Sequence, residues 1–331
     1  MTGLISLADL TPQQLADRVS RACTLYRDRR AHDRPLAGQV AGMLFQMTST
    51  RTRTAFTTGA LRLGADLISY GPHDLQVNTG ETLADTGRVF AAMLDLLVAR
   101  IPGPSADLRD LSGGRLPVVN AMSADEHPTQ AITDLATLQR HYGSLAGVRL
   151  LYVGEGNNTA VALARALAMV PGARAWFWCP AGYGLPARVI EESQRLAVGS
   201  AARIIEVSHR DELPAAVDAV YTTQWQTTGS TKGDPCWREA FRPLQVNRQF
   251  LQPWPDAVVL HDLPAHRGEE ISGEVLDGPR CLAWTQAAMK LPAAMAVLER
   301  SGSGQDQPEE GPGWPEQDVA LGLSRSANGT H

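Results

Sequence analysis

The sequence predicts an α/β protein built from two doubly wound parallel-sheet domains, with its ligand site in the crevice between them. Short apolar runs alternate with stretches of helical periodicity, the pattern of a parallel sheet whose crossovers are helices. The alternation runs twice, pausing at Leu145-Ala146-Gly147. The first apolar run also ends in hydroxyls and arginines, and open α/β sheets hold ligands just beyond their strand ends.

Thr11-Pro12 opens a helix to about Arg27, the threonine capping the first turn and proline taking the position where an N–H is not needed. Strands are expected at 40–45, 67–70, 96–101 and 118–122, with helices at 52–63, 82–94 and 129–142 between or after them. After the pause come strands at 149–153, 175–178, 204–207, 219–223 and 257–261, and helices at 159–169, 186–196 and 211–217. This divides the chain into 1–144, 145–286, a final helix at 287–300 and a tail from 301 to 331. The tail is rich in Gly, Pro and acids and is expected to be disordered, its Trp314 incidental.

At 331 residues, 44% hydrophobic and 20% charged, the chain has room for two ordinary domains. A net charge of −5 gives no basic footprint for nucleic acid, so an anionic ligand must be drawn by a local cluster such as Arg51, Arg53 and Arg100. No apolar run approaches the roughly 18 residues of a membrane span. No export signal is visible, so a cytoplasmic protein without membrane partners is expected. Cys23, Cys179, Cys236 and Cys281 lack CxxC spacing and read as reduced thiols, neither disulfides nor a zinc site.

The most informative stretch is 45–56, Phe-Gln-Met-Thr-Ser-Thr-Arg-Thr-Arg-Thr-Ala-Phe. It reads as strand, turn and helix N-terminus, where backbone N–H groups and the helix dipole meet Ser49, Thr50, Arg51 and Thr52. That is a seat for phosphate without the GxxxxGK[ST] of a P-loop. An ordinary helix cap with two solvated arginines is the plainer reading. Gly154-Glu155-Gly156-Asn157-Asn158 follows a strand and opens a helix, a weak partial match to a dinucleotide turn. His127-Pro128-Thr129-Gln130 stands at another strand-to-helix turn, where His127 either caps or donates to a carbonyl.

Taken in order, Ser49-Thr50-Arg51-Thr52-Arg53, Gly80-Glu81-Thr82-Leu83-Ala84-Asp85-Thr86, Arg100, His127-Pro128-Thr129-Gln130, Gly154-Glu155-Gly156-Asn157-Asn158 and His261-Asp262-Leu263-Pro264 resemble the aspartate/ornithine carbamoyltransferase family. The ornithine branch is the nearer one, and the likeness covers about residues 1 to 300. Each motif alone is weak; six in register are specific.

The resemblance implies transfer of a carbamoyl group from carbamoyl phosphate to an amine, with no covalent enzyme intermediate, cofactor or metal. It implies that Ser49, Thr50, Arg51, Thr52, Arg100, His127, Gln130, Leu263 and Lys290 bind carbamoyl phosphate. Arg51 and Arg100 would meet phosphate, Arg100 reaching the carbonyl as well, and His127 and Gln130 would meet the carbamoyl group, where donors stabilise a developing oxyanion. Gln76 would come from a neighbouring subunit of a homotrimer. Asn158, Thr223, Thr227, Thr228 and Asp262 fall at acceptor positions.

Those acceptor positions depart from the ornithine pattern. The family's Cys and Asp are Asp262 and Thr223 here, its Ser-Met-Gly loop is Thr227-Thr228-Gly229, and its C-terminal Arg is Lys290. Thr223 supplies no counter-ion for an α-ammonium, whereas Asp262 adds a carboxylate near the carbamoyl site, as cation clamp, as general base, or as a plain ion-pair partner of Lys290. The expectation is therefore an acceptor other than ornithine: another diamino acid, a diamine, or a precursor in specialised metabolism. Ornithine carbamoylation and a catalytically silent paralogue are the alternatives.

Overall fold

Val40–Phe45 (β1) is buried along all but its first residue, as a central parallel strand covered on both faces should be. It pairs in parallel with Asp66–Tyr70 (β2) and Leu96–Arg100 (β3), and β3 pairs with Val118–Met122 (β4), giving the order β2-β1-β3-β4. A second parallel sheet contains Arg149–Val153 (β5), Arg174–Trp178 (β6), Arg203–Val207 (β7), Ala219–Thr222 (β8) and Val258–His261 (β9) in the order β7-β6-β5-β8-β9. Both sheets reverse their winding direction, the first at β1/β3 and the second at β5/β8. The two halves are thus doubly wound, as the sequence predicts. This computed structural model describes residues 3–28, 33–227 and 231–302. The expected tail, with Trp314, lies outside the described residues except for its first two positions, which are helical.

The helices are α1 (Pro12–Arg27), α2 (Arg51–Leu63), α3 (Leu83–Ala91), α4 (Ser105–Leu111), α5 (Pro128–Tyr142), α6 (Asn158–Ala168), α7 (Ala187–Ala197), α8 (Trp237–Phe241), α9 (Gly273–Leu276) and α10 (Ala283–Gly302). Thr11 caps α1 as expected, its hydroxyl accepting from Gln14 N and the Gln14 side chain returning the bond. Helix α5 packs on β4 and α6 on β6 and β7, and the two helices pack on each other, so a helix pair forms the junction between the sheets. Helix α10 returns to the first half and packs against α1, α2 and α5. Gly59 permits that approach, since a Cβ there would stand 3.1 Å from Met295 Cγ.

The structure corrects one expected element. The segment 211–217 is not a helix but a single 3-10 turn at Arg210–Glu212, followed by extended backbone at Leu213. Pro214 has no N–H to continue a helix and biases the residue before it toward extended geometry. Helix α3 also stops at Ala91, three residues short of expectation, and α10 begins at Ala283, four residues early.

Candidate active site

A crevice of about 230 Å³ opens beyond the C-terminal ends of strands from both sheets, room for small molecules only. Ser49, Thr50, Arg51 and Thr52 reach it from the turn after β1 and the first turn of α2. Arg100 arrives from the last residue of β3, where the register with β4 slips between Ala99 and Arg100. Opposite that slip stands Met122, whose φ of 152° is rare outside glycine. Its conformation is held by Asn120, fully buried, which accepts from Met122 N at 3.0 Å and donates to Ile5 O and Ser123 Oγ. The extra residue, Ala121, lies in β4 beside the strand end from which Arg100 reaches the crevice, a common place for such irregularities.

Arg100 is buried, and its Nε is shielded from solvent with no hydrogen-bond partner among the described residues. Burial, then repulsion from Arg51, pulls its guanidinium down to about 10, against the opposing pull of Asp262. Arg51 is lowered for the same leading reason, burial, again opposed by Asp262. A buried N–H without a partner costs about 1–3 kcal/mol, which a bound anion relieves. Arg53 does not join them: it donates to Phe45 O at 3.2 Å and stacks on the Phe45 ring, so the expected cluster contains two arginines rather than three.

His127 occupies the N-cap of α5 without a side-chain capping bond. Burial, then Lys290 and Arg100, hold its imidazole well below the usual histidine range, so it is neutral at pH 7. Thr129 Oγ1 lies 3.4 Å from Nδ1; with that hydroxyl donating, the ring proton sits on Nε2 and is available as a donor. Gln130 donates from Nε2 to Asp134 at 2.7 Å and accepts from Lys290 Nζ at Oε1. Burial pushes Lys290 down to about 8, with Asp134 as the first opposing charge.

The acceptor-side positions form the other wall. Asp262 follows β9 and is the one carboxylate lining the crevice among the described residues. Its oxygens accept from Thr223 Oγ1 at 2.9 Å and Thr159 Oγ1 at 3.0 Å. The plain ion pair with Lys290 is therefore not what holds it. The negative charge missing from position 223 reappears one hydrogen bond away. Leu263 follows in the left-handed region, φ 55°, with its N–H on His261 Nδ1 at 2.9 Å, and also lines the crevice. Asn158 lines it too, although its Nδ2 already donates to Ser123 O at 2.8 Å. Thr227 bonds Glu155 at 3.1 Å at the rim. Thr228 lies outside the described residues.

The Gly-Glu-Gly turn has a packing explanation. A Cβ at Gly156 would stand 2.4 Å from the Gly184 carbonyl carbon, so the second glycine is needed for backbone approach. Glu155 pairs with Lys232, whose ammonium also lies over the rings of Tyr183, Trp237 and Phe241.

Every expected site residue that is described lines the crevice except Gln76, which sits exposed on a 3-10 turn at Gln76–Thr79. The sequence reading missed Thr159, Asp134 and Lys232. Thr159 carried the clearest signal, a hydroxyl in the first turn of a helix opened by the glycine turn. The other two act through partners distant in sequence.

The carbamoyl-P binding domain of aspartate/ornithine carbamoyltransferases matches residues 3–140, and the Asp/Orn binding domain of the same enzymes matches residues 146–300. An ornithine carbamoyltransferase of Anoxybacillus flavithermus is 35% identical over 297 residues, covering 89% of this chain and 94% of the relative. One from Rhodococcus opacus is 37% identical over 292 residues, covering 88% and 92%. Among solved structures, ornithine carbamoyltransferase from Pyrococcus furiosus superposes with a TM-score of 0.83 at 33% identity, covering 89% of this chain and 95% of that one.

Proposed function

The chain belongs to the aspartate/ornithine carbamoyltransferase family, whose enzymes transfer carbamoyl groups, and we propose that it carries the carbamoyl group of carbamoyl phosphate to the side-chain amine of ornithine. One observation carries the reaction: Arg51, Arg100, His127 and Gln130 share a single crevice with Asn158, Thr223 and Asp262. In the proposed step a neutral amine nitrogen bonds to the carbonyl carbon and the carbon–oxygen bond to phosphate breaks. The departing phosphate takes the proton released by the nitrogen. Arg51 and Arg100 hold phosphate, and the neutral His127 and the second N–H of Gln130 meet the carbonyl oxygen as its charge grows.

Ornithine is supported by relatives that match nearly the whole chain. They favour it over the altered acceptor expected from positions 223 and 262. One specific observation keeps a second reading: the Asp262 carboxylate, fixed by two threonine hydroxyls, suits an amine whose cationic group approaches from β9 rather than from β8. Incubating the protein with carbamoyl phosphate and an amine panel, read by phosphate release and ureido product mass, separates the two. A ureido product from ornithine at the highest kcat/KM supports the first reading, and a higher value with another amine supports the second. No ureido product from any amine overturns both.

The same proposal includes a homotrimer in which Gln76 serves a neighbouring site. Its support is the exposed position of Gln76, away from the crevice of its own chain. If inactive Gln76→Ala and Arg100→Ala proteins are mixed and reassembled, activity should partly return; verified mixed assemblies without recovery would refute shared sites.

A further inference from the structure

Asp134 stands one helical turn after Gln130 on α5 and is completely buried. A buried carboxylate is expensive unless its oxygens are satisfied. Here Oδ1 accepts from Gln130 Nε2 at 2.7 Å and from Gln286 Nε2 at 2.8 Å, and Oδ2 accepts from Tyr221 OH at 3.1 Å. The three donors come from α5, α10 and β8, so one side chain gathers both halves of the molecule.

An ionised carboxylate only accepts hydrogen bonds, which fixes the polarity of both amides. Each glutamine must turn its NH₂ toward Asp134 and its oxygen away. The Gln130 oxygen then receives the Lys290 ammonium, and the Gln286 oxygen receives the backbone N–H of His261 at 2.8 Å. His261 immediately precedes Asp262. A single carboxylate therefore sets which end of Gln130 faces Lys290 and indexes the strand end that presents Asp262.

We propose that Asp134 is a positioning residue for carbamoyl transfer, acting through Gln130 on the carbamoyl group and through Gln286 on the Asp262 strand end. The inference rests on the carbamoyl-transfer reading of the crevice. Burial raises the Asp134 carboxyl to about 7, so the ionised form that fixes both amides prevails above that pH, and its negative charge is the first force opposing the lowering of Lys290. The Asp134→Asn side chain keeps the shape and can still accept from both glutamines, with its NH₂ turned to the Tyr221 oxygen. It removes the charge beside Lys290 and no longer dictates amide polarity.

The test compares two probes in the full-length protein. Inorganic phosphate reads the arginine seat alone, and phosphonoacetamide adds the carbonyl and amide of carbamoyl phosphate in a stable form. By calorimetry, Asp134→Asn should leave the phosphate Kd within about twofold and weaken phosphonoacetamide about tenfold, the scale of one hydrogen bond. In turnover it should lower kcat more than it raises the KM for carbamoyl phosphate. The Asp134→Asn and Gln130→Ala losses in phosphonoacetamide binding should fail to add, because both remove one interaction. Unchanged phosphonoacetamide affinity, equal loss of both probes, or additive losses would each overturn the proposal. Should Asp134→Asn fail to fold, Gln286→Met tests the other arm. It should lower kcat with the best acceptor while phosphonoacetamide affinity holds, and an unchanged kcat overturns the proposal. Wild-type protein that binds phosphonoacetamide no better than phosphate would overturn the carbamoyl reading, and this inference with it.

Discussion

The two walls of the crevice are built by different means. The wall proposed for carbamoyl phosphate rests on a helix N-terminus, a strand end and a helix cap, and Arg51 and Arg100 there are under-solvated cations. The acceptor wall rests on side chains holding side chains: Thr159 and Thr223 hold Asp262, and Lys232 and Thr227 hold Glu155. Backbone termini fix a dipole whatever the neighbouring residue, so the first wall keeps its preference for negative charge. Hydroxyl–carboxylate contacts are exchangeable one residue at a time. Specificity for the acceptor can thus drift while the reacting group stays the same.

The sharpest test of that division is His127→Ala. Loss of a donor to the carbonyl oxygen should reduce kcat by about 10²–10³-fold. Steady-state kinetics should give the same factor for every amine that is turned over. A factor that changes with the amine would break the separation between the walls.

Next in size is Arg51→Ala. Removing a charge-assisted contact should weaken phosphate binding by about 10- to 100-fold, which titration calorimetry would measure. The ranking of acceptors should not move.

A smaller effect is expected on the other wall, where Asp262→Asn and Thr223→Asp should change acceptor ranking and move the phosphate Kd, through the charge felt by Arg51 and Arg100, by less than Arg51→Ala does. Because the two side chains touch, the double variant should depart from additivity by about 0.5–3 kcal/mol in kcat/KM for the preferred amine. Additive effects would mean that they do not serve one ligand.

The smallest concerns pH. Lys290 holds its proton below about 8 and loses it above, so kcat/KM for carbamoyl phosphate should fall as pH rises through that value. Lys290→Arg keeps its charge throughout this range, so the alkaline fall should move to higher pH with less than about a tenfold change at neutrality. An unmoved limb would assign the titration elsewhere.

This contrast also explains what could be read in the sequence. The strand–turn–helix at Phe45 to Phe56 announces the phosphate wall because its geometry is local: apolar run, hydroxyls, then helical spacing. The Thr11-Pro12 cap and the strand Val118–Met122 were legible for the same reason. Asp262 was legible as a carboxylate near the site, but its partners were not, since Thr159 lies 103 positions away. Asp134 sits among buried apolar neighbours on α5, and its meaning depends on Gln286, 152 positions later. Arg53 misled because alternate residues near a helix start point apart, and its guanidinium found an aromatic ring. The absent helix at 211–217 was foreshadowed by Pro214, whose effect outweighs the apolar spacing around it.

The return of α10 to the first half has a consequence for how the molecule is made. The Arg21–Glu299 ion pair, 2.6 Å long, joins positions 278 apart, and the apolar faces of α1, α2 and α5 close against this last helix. A polypeptide emerging from the ribosome N-terminus first completes the strands of its first sheet long before their cover exists. Until residue 302 is free, that half must wait with part of its core open to solvent, a period in which such surfaces invite misassembly. The second sheet is delayed less, because its strands and crossovers are contiguous and the last helix touches it mainly at β9. A chain cut before Ala283 would leave its greater damage at the beginning of the protein, where α1, α2 and α5 lose their cover, and a lesser one at the end of β9, which loses Gln286.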